Sequence, residues 1–175
     1  MSSWPLLKSG RGIPLQMVLA GGVAGLLSGM LCPARITGDC DVMLLSDWAA
    51  WAKAQAAAEE VAEVIKLPKA WLSRDCAIYA WCLPLGWRDR LEHVGTFGTL
   101  TVLRISRFDL IAAKLISSPK RPQDVEDLQD LRPTGAEWDD VEKHLDRLEL
   151  EDRSGSTFDE QRAILGVLRG NNNHP

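Results

Sequence analysis

The stretch Leu19-Ala-Gly-Gly-Val-Ala-Gly-Leu-Leu-Ser-Gly29, followed by Arg35-Ile-Thr-Gly-Asp-Cys-Asp-Val-Met-Leu-Leu45, decides the fold that the sequence predicts. The second segment alternates like a β-strand, in which residues two apart lie on the same face. Thr37, Asp39 and Asp41 therefore share one face, while the residues between them can enter a core. In the first segment, paired glycines open a short helix of small residues. Together the segments predict an acid-lined strand beside a glycine turn.

The acid pair and the glycine pair indicate a site for a metal and a phosphate. Asp39 and Asp41 lie about 7 Å apart along a strand, and two carboxylates so close repel each other unless a cation lies between them. Ligation by oxygen alone favours Mg²⁺. Gly21 and Gly22 precede a predicted helix over 23–30, whose first N–H groups can approach a phosphate. This combination is typical of phosphoryl or nucleotidyl transfer, although a packing turn and a solvated acid pair are the alternatives.

Composition places the chain among ordinary globular proteins. Its 175 residues are 46% apolar and 25% charged, which predicts one domain with a sizeable core. The net charge of -4 argues against a protein dedicated to coating nucleic acid. The four cysteines form no Cys-x-x-Cys pair, and no apolar run suits a signal peptide or a membrane span. We therefore expect a cytoplasmic protein with free thiols, without zinc and without membrane contact.

The remaining patterns predict strand, helix, strand, helix, strand and strand, followed by helices. Apolar or alternating runs predict three further strands, over 15–20, 77–83 and 98–105. Helical periodicity and capping signals predict helices over 46–66, 106–116, from 123 onward, 136–150 and 158–169. We expect an α/β core over 1–132, a helical C-terminal section over 133–170 packed on it, and a disordered tail over 171–175.

These motifs, in this order, resemble the minimal nucleotidyltransferase superfamily, most closely the branch that includes AbiEii-type toxins of bacterial toxin–antitoxin pairs. The first two stretches resemble the family's glycine turn and its Arg-x-Thr-x-Asp-hydrophobic-Asp strand. Three later stretches resemble signatures of that branch: Leu83–Arg90, Asp109–Leu115 and Arg121–Leu128. The resemblance covers roughly residues 15–132. It implies a nucleotidyltransferase-like mixed β-sheet flanked by helices.

The resemblance also implies roles for individual residues. Asp39 and Asp41 would hold Mg²⁺ that bridges a nucleoside triphosphate, and Lys114 would contact a phosphate or the leaving pyrophosphate. The residues expected to contact or flank the nucleotide are Gly21, Gly22, Arg35 and Thr37. Asp124 and Asp127 are expected to orient Lys114 or Arg121. The alternatives are a solvated helix lysine at Lys114 and a salt-bridged or solvated face at the two aspartates.

One departure from the family pattern leaves two main hypotheses open. Active members add a third carboxylate from the next core strand, but the predicted strand over 77–83 contains no acid, and Asp75 is the nearest substitute. The first hypothesis is a Mg²⁺-dependent enzyme that transfers a nucleotidyl group to a hydroxyl of RNA, protein or a small molecule. The second is a catalytically weakened nucleotidyltransferase-like binding module that senses a nucleotide or pairs with a protein partner such as an antitoxin. In a third interpretation, a regulatory domain acts through protein contacts alone.

Overall fold

The computed structural model of the chain describes residues 14–32, 37–45, 48–151 and 157–171. Within these ranges one sheet contains five strands in the order β3-β2-β1-β5-β4. The strands are β1 (Leu15–Leu19), β2 (Cys40–Leu44), β3 (Leu72–Ser73), β4 (Glu92–Phe97) and β5 (Leu100–Arg104).

The described residues also form six α-helices and three 3₁₀ helices. The α-helices are α1 (Gly21–Leu27), α2 (Trp48–Ile65), α3 (Arg107–Ser117), α4 (Pro122–Leu131), α5 (Gly135–Glu151) and α6 (Asp159–Asn171). The 3₁₀ helices are η1 (Asp75–Cys82), η2 (Trp87–Arg90) and η3 (Ser118–Lys120). In the described part of the chain, no helix combines the length and the apolar character that crossing a membrane requires.

The central strand β1 fixes the topology of the sheet. It pairs antiparallel with β2, with Leu19 opposite Val42, and parallel with β5, with Leu19 opposite Arg104. The sheet is therefore mixed, and the predicted fold class is confirmed. The acid-bearing strand is shorter than predicted, because β2 begins only at Cys40. Strand β4 was not predicted, because its residues are mostly exposed and lack a continuous apolar face.

Helix α3 is the centre of the helical layer. Leu110, Ile111 and Leu115 are fully buried, and α3 packs against α1, α4, α5 and α6. The apolar side chains of α5 and α6, among them Trp138 and Leu165, belong to the same continuous core as the sheet. The helical C-terminal section is thus packed on the α/β core. Residues 1–13, 46–47 and the end of the predicted tail, 172–175, lie outside the described residues.

Two predicted capping signals start helices in the structure. The Ser106 Oγ accepts a hydrogen bond from the backbone N–H of Asp109 at the start of α3. At the start of α5, Thr134 and Glu137 form a complete capping box, in which each backbone N–H donates to the other residue's side chain (2.8 and 3.2 Å). These local bonds satisfy N–H groups that a helix start leaves without partners.

The predicted strand over 77–83 is wrong, because this segment is the 3₁₀ helix η1. The run was apolar without clear alternation, a pattern that periodicity alone cannot assign to a strand or a helix. The structure exposes Ile78, Tyr79 and Trp81, so the run is not a buried strand. A turn starts the helix: the backbone N–H of Asp75 donates to the Ser73 Oγ (3.0 Å), immediately after the short strand β3.

Helix α5 holds the end of η1 through a buried histidine. His144 is 4% exposed, and its two ring nitrogens contact the Cys82 carbonyl oxygen (2.8 Å) and the Arg147 Nη2 (3.1 Å). A guanidinium can only donate, so Nδ1 accepts from Arg147 and Nε2 donates to Cys82. The imidazole is therefore neutral. Burial lowers its pKa, the bond to the Cys82 carbonyl raises it, and the positive charge of Arg147 lowers it again.

A pair of glycine substitutions tests the packing of α1 against α3. A Cβ on Gly25 would lie 2.6 Å from Leu31 Cγ and 3.3 Å from Leu110 Cδ2, whereas one on Gly166 in α6 meets nothing within 4 Å. We expect Gly25→Ala to lower the free energy of unfolding by about 1–3 kcal/mol through overpacking. Gly166→Ala should raise it by about 0.5–1 kcal/mol, because alanine favours a helix. Urea denaturation measures both, and stabilisation by Gly25→Ala would contradict the packing.

The neutral His144 predicts loss of stability in acid. In the unfolded chain a histidine has a pKa of about 6.5. Because the pKa of His144 is lower in the folded state, the unfolded state binds a proton in acid before the folded state does. The free energy of unfolding should therefore fall as the pH drops from about 7.5 to 5.5. His144→Gln keeps a donor toward Cys82 without titrating and should flatten part of this fall. The matched control is His93→Gln on the exposed surface of β4, which leaves His144 in place and should therefore keep this fall in stability.

Candidate active site

The predicted glycine turn and the predicted acid strand meet at the end of β1. The backbone N–H of Ala20 donates to the Asp41 carbonyl oxygen (2.9 Å), so the start of β2 lies beside the start of α1. Gly21 has a φ of +58°, and a Cβ built there would lie 2.6 Å from the Asp41 Oδ2. Only glycine suits this position, because it tolerates positive φ and leaves room for the carboxylate. Gly22 follows as a buried residue of α1.

Asp39 lies in an exposed bend before β2 and not within the strand. The Thr37 hydroxyl donates to the Asp39 carbonyl oxygen (3.0 Å) and contacts its Oδ1 (3.4 Å). Strand β2 therefore begins one residue after Asp39. The hydrogen bond from the Thr37 side chain to the backbone of Asp39 holds Asp39 in a turn. The structure thus brings Gly21, Thr37, Asp39 and Asp41 together where β1 ends and β2 begins. Arg35, the other predicted flanking residue, lies outside the described residues.

The half-buried Asp41 is surrounded by charged groups of both signs. Burial raises the pKa of its carboxyl, and the negative charge of Asp39 raises it further. The positive charges of Arg121 and Lys114 lower it, and Asp75 adds a smaller upward effect. A divalent cation would act on Asp41 in the same direction as the two basic groups, because it favours the ionised carboxylate. The ionisation of Asp41 thus depends on charged residues from several parts of the site.

Lys114 lies inside the protein between two aspartates of α4. Its side chain is 4% exposed, and Nζ lies 2.5 Å from the Asp124 Oδ1 and 2.6 Å from the Asp127 Oδ2. Asp124 and Asp127 are themselves buried. The alternative of a solvated lysine is therefore wrong, and the orienting contact expected between these aspartates and Lys114 is present. Buried charges need this pairing, because an isolated one is strongly destabilising.

Asp124 also contacts two residues that extend the buried cluster toward the surface. The Ser117 hydroxyl donates to the Asp124 Oδ2 (2.6 Å), and the Arg121 Nε lies 3.4 Å from the same oxygen. Sequence reasoning missed Ser117, although it follows Lys114 by three residues and so lies on the same face of a helix. The structure therefore connects Lys114, Asp124 and Arg121 in one chain of contacts.

A further arginine contributes to the fold near the site. The Arg90 Nη2 pairs with the fully buried Asp109 (2.6 Å), and the same guanidinium donates to the carbonyl oxygens of Pro84 and Leu85. Arg90 thus fastens the turn that starts at Leu83 to the beginning of α3. The contact between Arg90 and Asp109 joins residues distant in the sequence, so a local sequence pattern could not predict it.

The donor set of the site fits Mg²⁺ only with help from a substrate. Among the described residues, no group of three or more His, Cys, Asp or Glu side chains is arranged to hold a metal. Mg²⁺ in nucleotide enzymes is commonly bound by one or two carboxylates together with substrate phosphates and water. Asp39 and Asp41 could supply such carboxylates. Cys40 lies between them, and burial raises the pKa of its thiol to about 11, which makes it a poor ligand at neutral pH.

Replacement of Lys114 tests whether the buried cluster stabilises the fold. Lys114→Met leaves Asp124 and Asp127 buried without their cation, and we expect the free energy of unfolding to fall by about 3–5 kcal/mol. The matched control is Lys143→Met, since Lys143 contacts Asp140 on the surface of α5 and is largely exposed. That variant should unfold almost like the wild type. Equal effects of the two substitutions in urea denaturation would contradict the buried pairing.

Comparison with known proteins agrees with the motifs. A family model described as a nucleotidyltransferase of unknown function matches residues 7–153, a range that contains the sheet, the glycine turn and the Lys114 cluster. Searches of curated proteins and of solved structures gave no match. The resemblance to nucleotidyltransferases is thereby confirmed. The chain belongs to the family of nucleotidyltransferases of unknown function called DUF6036.

Proposed function

We propose that the protein is a Mg²⁺-dependent nucleotidyltransferase that transfers a nucleotidyl group from a nucleoside triphosphate to a hydroxyl acceptor. The observation that carries the proposal is the contact between Gly21 and Asp41. The backbone of the glycine turn lies against the carboxylate with no side chain between them. A phosphate group and the metal ion that it binds can therefore approach the same point.

Asp39 and Asp41 are the residues that would hold the metal ion. When bound, Mg²⁺ neutralises charge on the phosphates and polarises the phosphorus that is attacked. Asp41 is half-buried next to the backbone of Gly21, while Asp39 is exposed in the bend held by Thr37. One carboxylate is thus fixed by the fold, and the other is accessible from solvent. This arrangement suits an ion that arrives together with a triphosphate.

The proposed reaction is a single displacement at the α-phosphorus. An oxygen of the acceptor hydroxyl forms a bond to that phosphorus, and the bond from the phosphorus to the bridging oxygen of the β-phosphate breaks. Pyrophosphate leaves with the electron pair of the broken bond, and the hydroxyl proton passes to water. No oxidant or reductant is needed. Stabilisation of charge on the phosphate oxygens is therefore the main task of the protein.

One observation favours a second candidate, a nucleotide-binding module with little or no transferase activity. The third carboxylate expected in active members is not found beside Asp39 and Asp41 among the described residues. Asp75, the nearest substitute, raises the pKa of the Asp41 carboxyl less than Asp39 does. A site with two acids can bind a metal–nucleotide and still lack the group that activates the acceptor.

Nucleotide transfer can be measured directly. The protein is incubated with Mg²⁺ and each of the four labelled ribonucleoside triphosphates, in the presence of cellular RNA, protein extract or small hydroxyl compounds. We expect label to appear on one acceptor class and to disappear when the metal is chelated. Asp39→Asn and Asp41→Asn should each lower the rate by about 100-fold or more, because each removes a metal ligand. Asp140→Asn, on the exposed surface of α5, is the control and should leave the rate unchanged.

The outcomes separate the two candidates. If Mg²⁺ and a nucleoside triphosphate raise the melting temperature but no acceptor is labelled, the binding module is correct. If neither transfer nor stabilisation is seen with any of the four nucleotides, both candidates fail.

We propose the cytoplasm as the place of action, because the four cysteines are free thiols. A toxin role would require that expression of the active protein, but not of Asp41→Asn, slows bacterial growth.

A further inference from the structure

We propose that Arg121, at the start of α4, binds the phosphates of the nucleoside triphosphate, a role that the family resemblance assigned to Lys114. This inference rests on the proposed function, since it concerns the same site and the same substrate. It is carried by the contacts of the two basic residues. Lys114 is buried and paired with two carboxylates, whereas Arg121 is 56% exposed and attached to the same buried cluster.

Lys114 has little capacity left for a ligand. Its ammonium group lies within 2.6 Å of a carboxylate oxygen from each of Asp124 and Asp127, and only 4% of the side chain is exposed. To reach a phosphate, the ammonium would have to leave one of these partners. The abandoned carboxylate would then remain buried without a cation, which is costly. The contacts of Lys114 thus favour an internal role.

Arg121 has the opposite properties. Its Nε lies 3.4 Å from the Asp124 Oδ2, and this contact involves one of the five N–H donors of a guanidinium. The four donors on the terminal nitrogens form the planar fork that binds two phosphate oxygens at once. More than half of the side chain is open to solvent. An arginine that contacts a buried carboxylate through Nε while most of its side chain is exposed is suited to an anionic ligand.

The buried cluster also gives the guanidinium a partner that is itself held in place. Asp124 is 1% exposed and receives contacts from Lys114, Ser117 and Arg121, which come from α3 and from the start of α4. Because three partners hold this carboxylate, it offers Arg121 a rigid anchor. Holding a charged group in advance lowers the entropic cost of binding a ligand.

The same cluster lies next to the acid pair. Helix α3, which carries Lys114, packs against α1, and a Cβ on Gly25 of α1 would lie 3.3 Å from Leu110 Cδ2 of α3. Helix α1 begins at Gly21, which lies beside the Asp41 carboxylate, and the positive charges of Arg121 and Lys114 lower the pKa of that carboxyl. The cluster is therefore next to the glycine turn and the expected metal ligands. A triphosphate whose metal ion lies at Asp41 would have its oxygens within the field of an exposed guanidinium.

The test compares three variants with the wild type in the binding of each ribonucleoside triphosphate with Mg²⁺, measured by isothermal titration calorimetry. Arg121→Gln should weaken binding by about 10- to 100-fold, because it removes charged hydrogen bonds to phosphate. Arg121→Lys keeps the charge but not the fork and should recover only part of that loss. Lys120→Gln removes an exposed charge one residue away and should bind like the wild type. Melting temperatures without ligand, which should agree for all four proteins, exclude a folding defect.

The outcomes distinguish this inference from the function on which it rests. If the wild type binds a nucleotide and Arg121→Gln binds it within about twofold, the role of Arg121 is overturned while the proposed function stands. An equal loss in Lys120→Gln would also overturn it, since the effect would then be that of net charge alone. If the wild type binds none of the four nucleotides, the proposed function fails, and the role of Arg121 fails with it. In a transfer assay, Arg121→Gln should raise KM for the nucleotide more than it changes kcat.

Discussion

The placement of one lysine inside the helical layer is the constraint on which the rest of the molecule depends. Helix α3 is buried almost all round, and a charge at Lys114 is tolerated there only because two carboxylates of α4 surround it. This requirement fixes α4 against α3, and with α4 it fixes Asp124 and the start of the helix at Arg121. The short contacts between these buried charges add a directional constraint on the register of the two helices to the one that apolar packing gives.

The sheet positions the other half of the site by a different route. Antiparallel pairing of β1 with β2 places the turn that follows β1 beside the first residues of β2. The carboxylate of Asp41 then occupies the space that a side chain at Gly21 would fill. Parallel pairing of β1 with β5 brings the chain into α3, so the two halves are parts of one core. The candidate site therefore lies where the ends of β1 and β2 meet the layer of packed helices.

Local patterns predicted much of this arrangement. The glycine pair, the alternation around Asp41 and the capping residues Ser106 and Thr134 each act over a few residues, and the structure contains a turn, a strand and two helix starts at these positions. The fold class followed from the order of these elements. Interactions between distant residues could not be predicted in this way. The pairing of Lys114 with two aspartates of the next helix was expected only from the family resemblance, and the contact of Arg90 with Asp109 depends on tertiary packing. An apolar run alone could not distinguish η1 from a strand.

The charge balance of the site links these observations to its chemistry. In formal charges, the five carboxylates of Asp39, Asp41, Asp75, Asp124 and Asp127 exceed the two cations of Lys114 and Arg121 by three. One divalent metal ion would offset two of these charges and would leave the negative charge of a triphosphate without a partner. Because the positive charge of Lys114 is already committed to buried carboxylates, the residue able to meet this charge must be exposed. That requirement applies to a transferase and to a binding module alike, so it holds whether or not a third carboxylate completes the site.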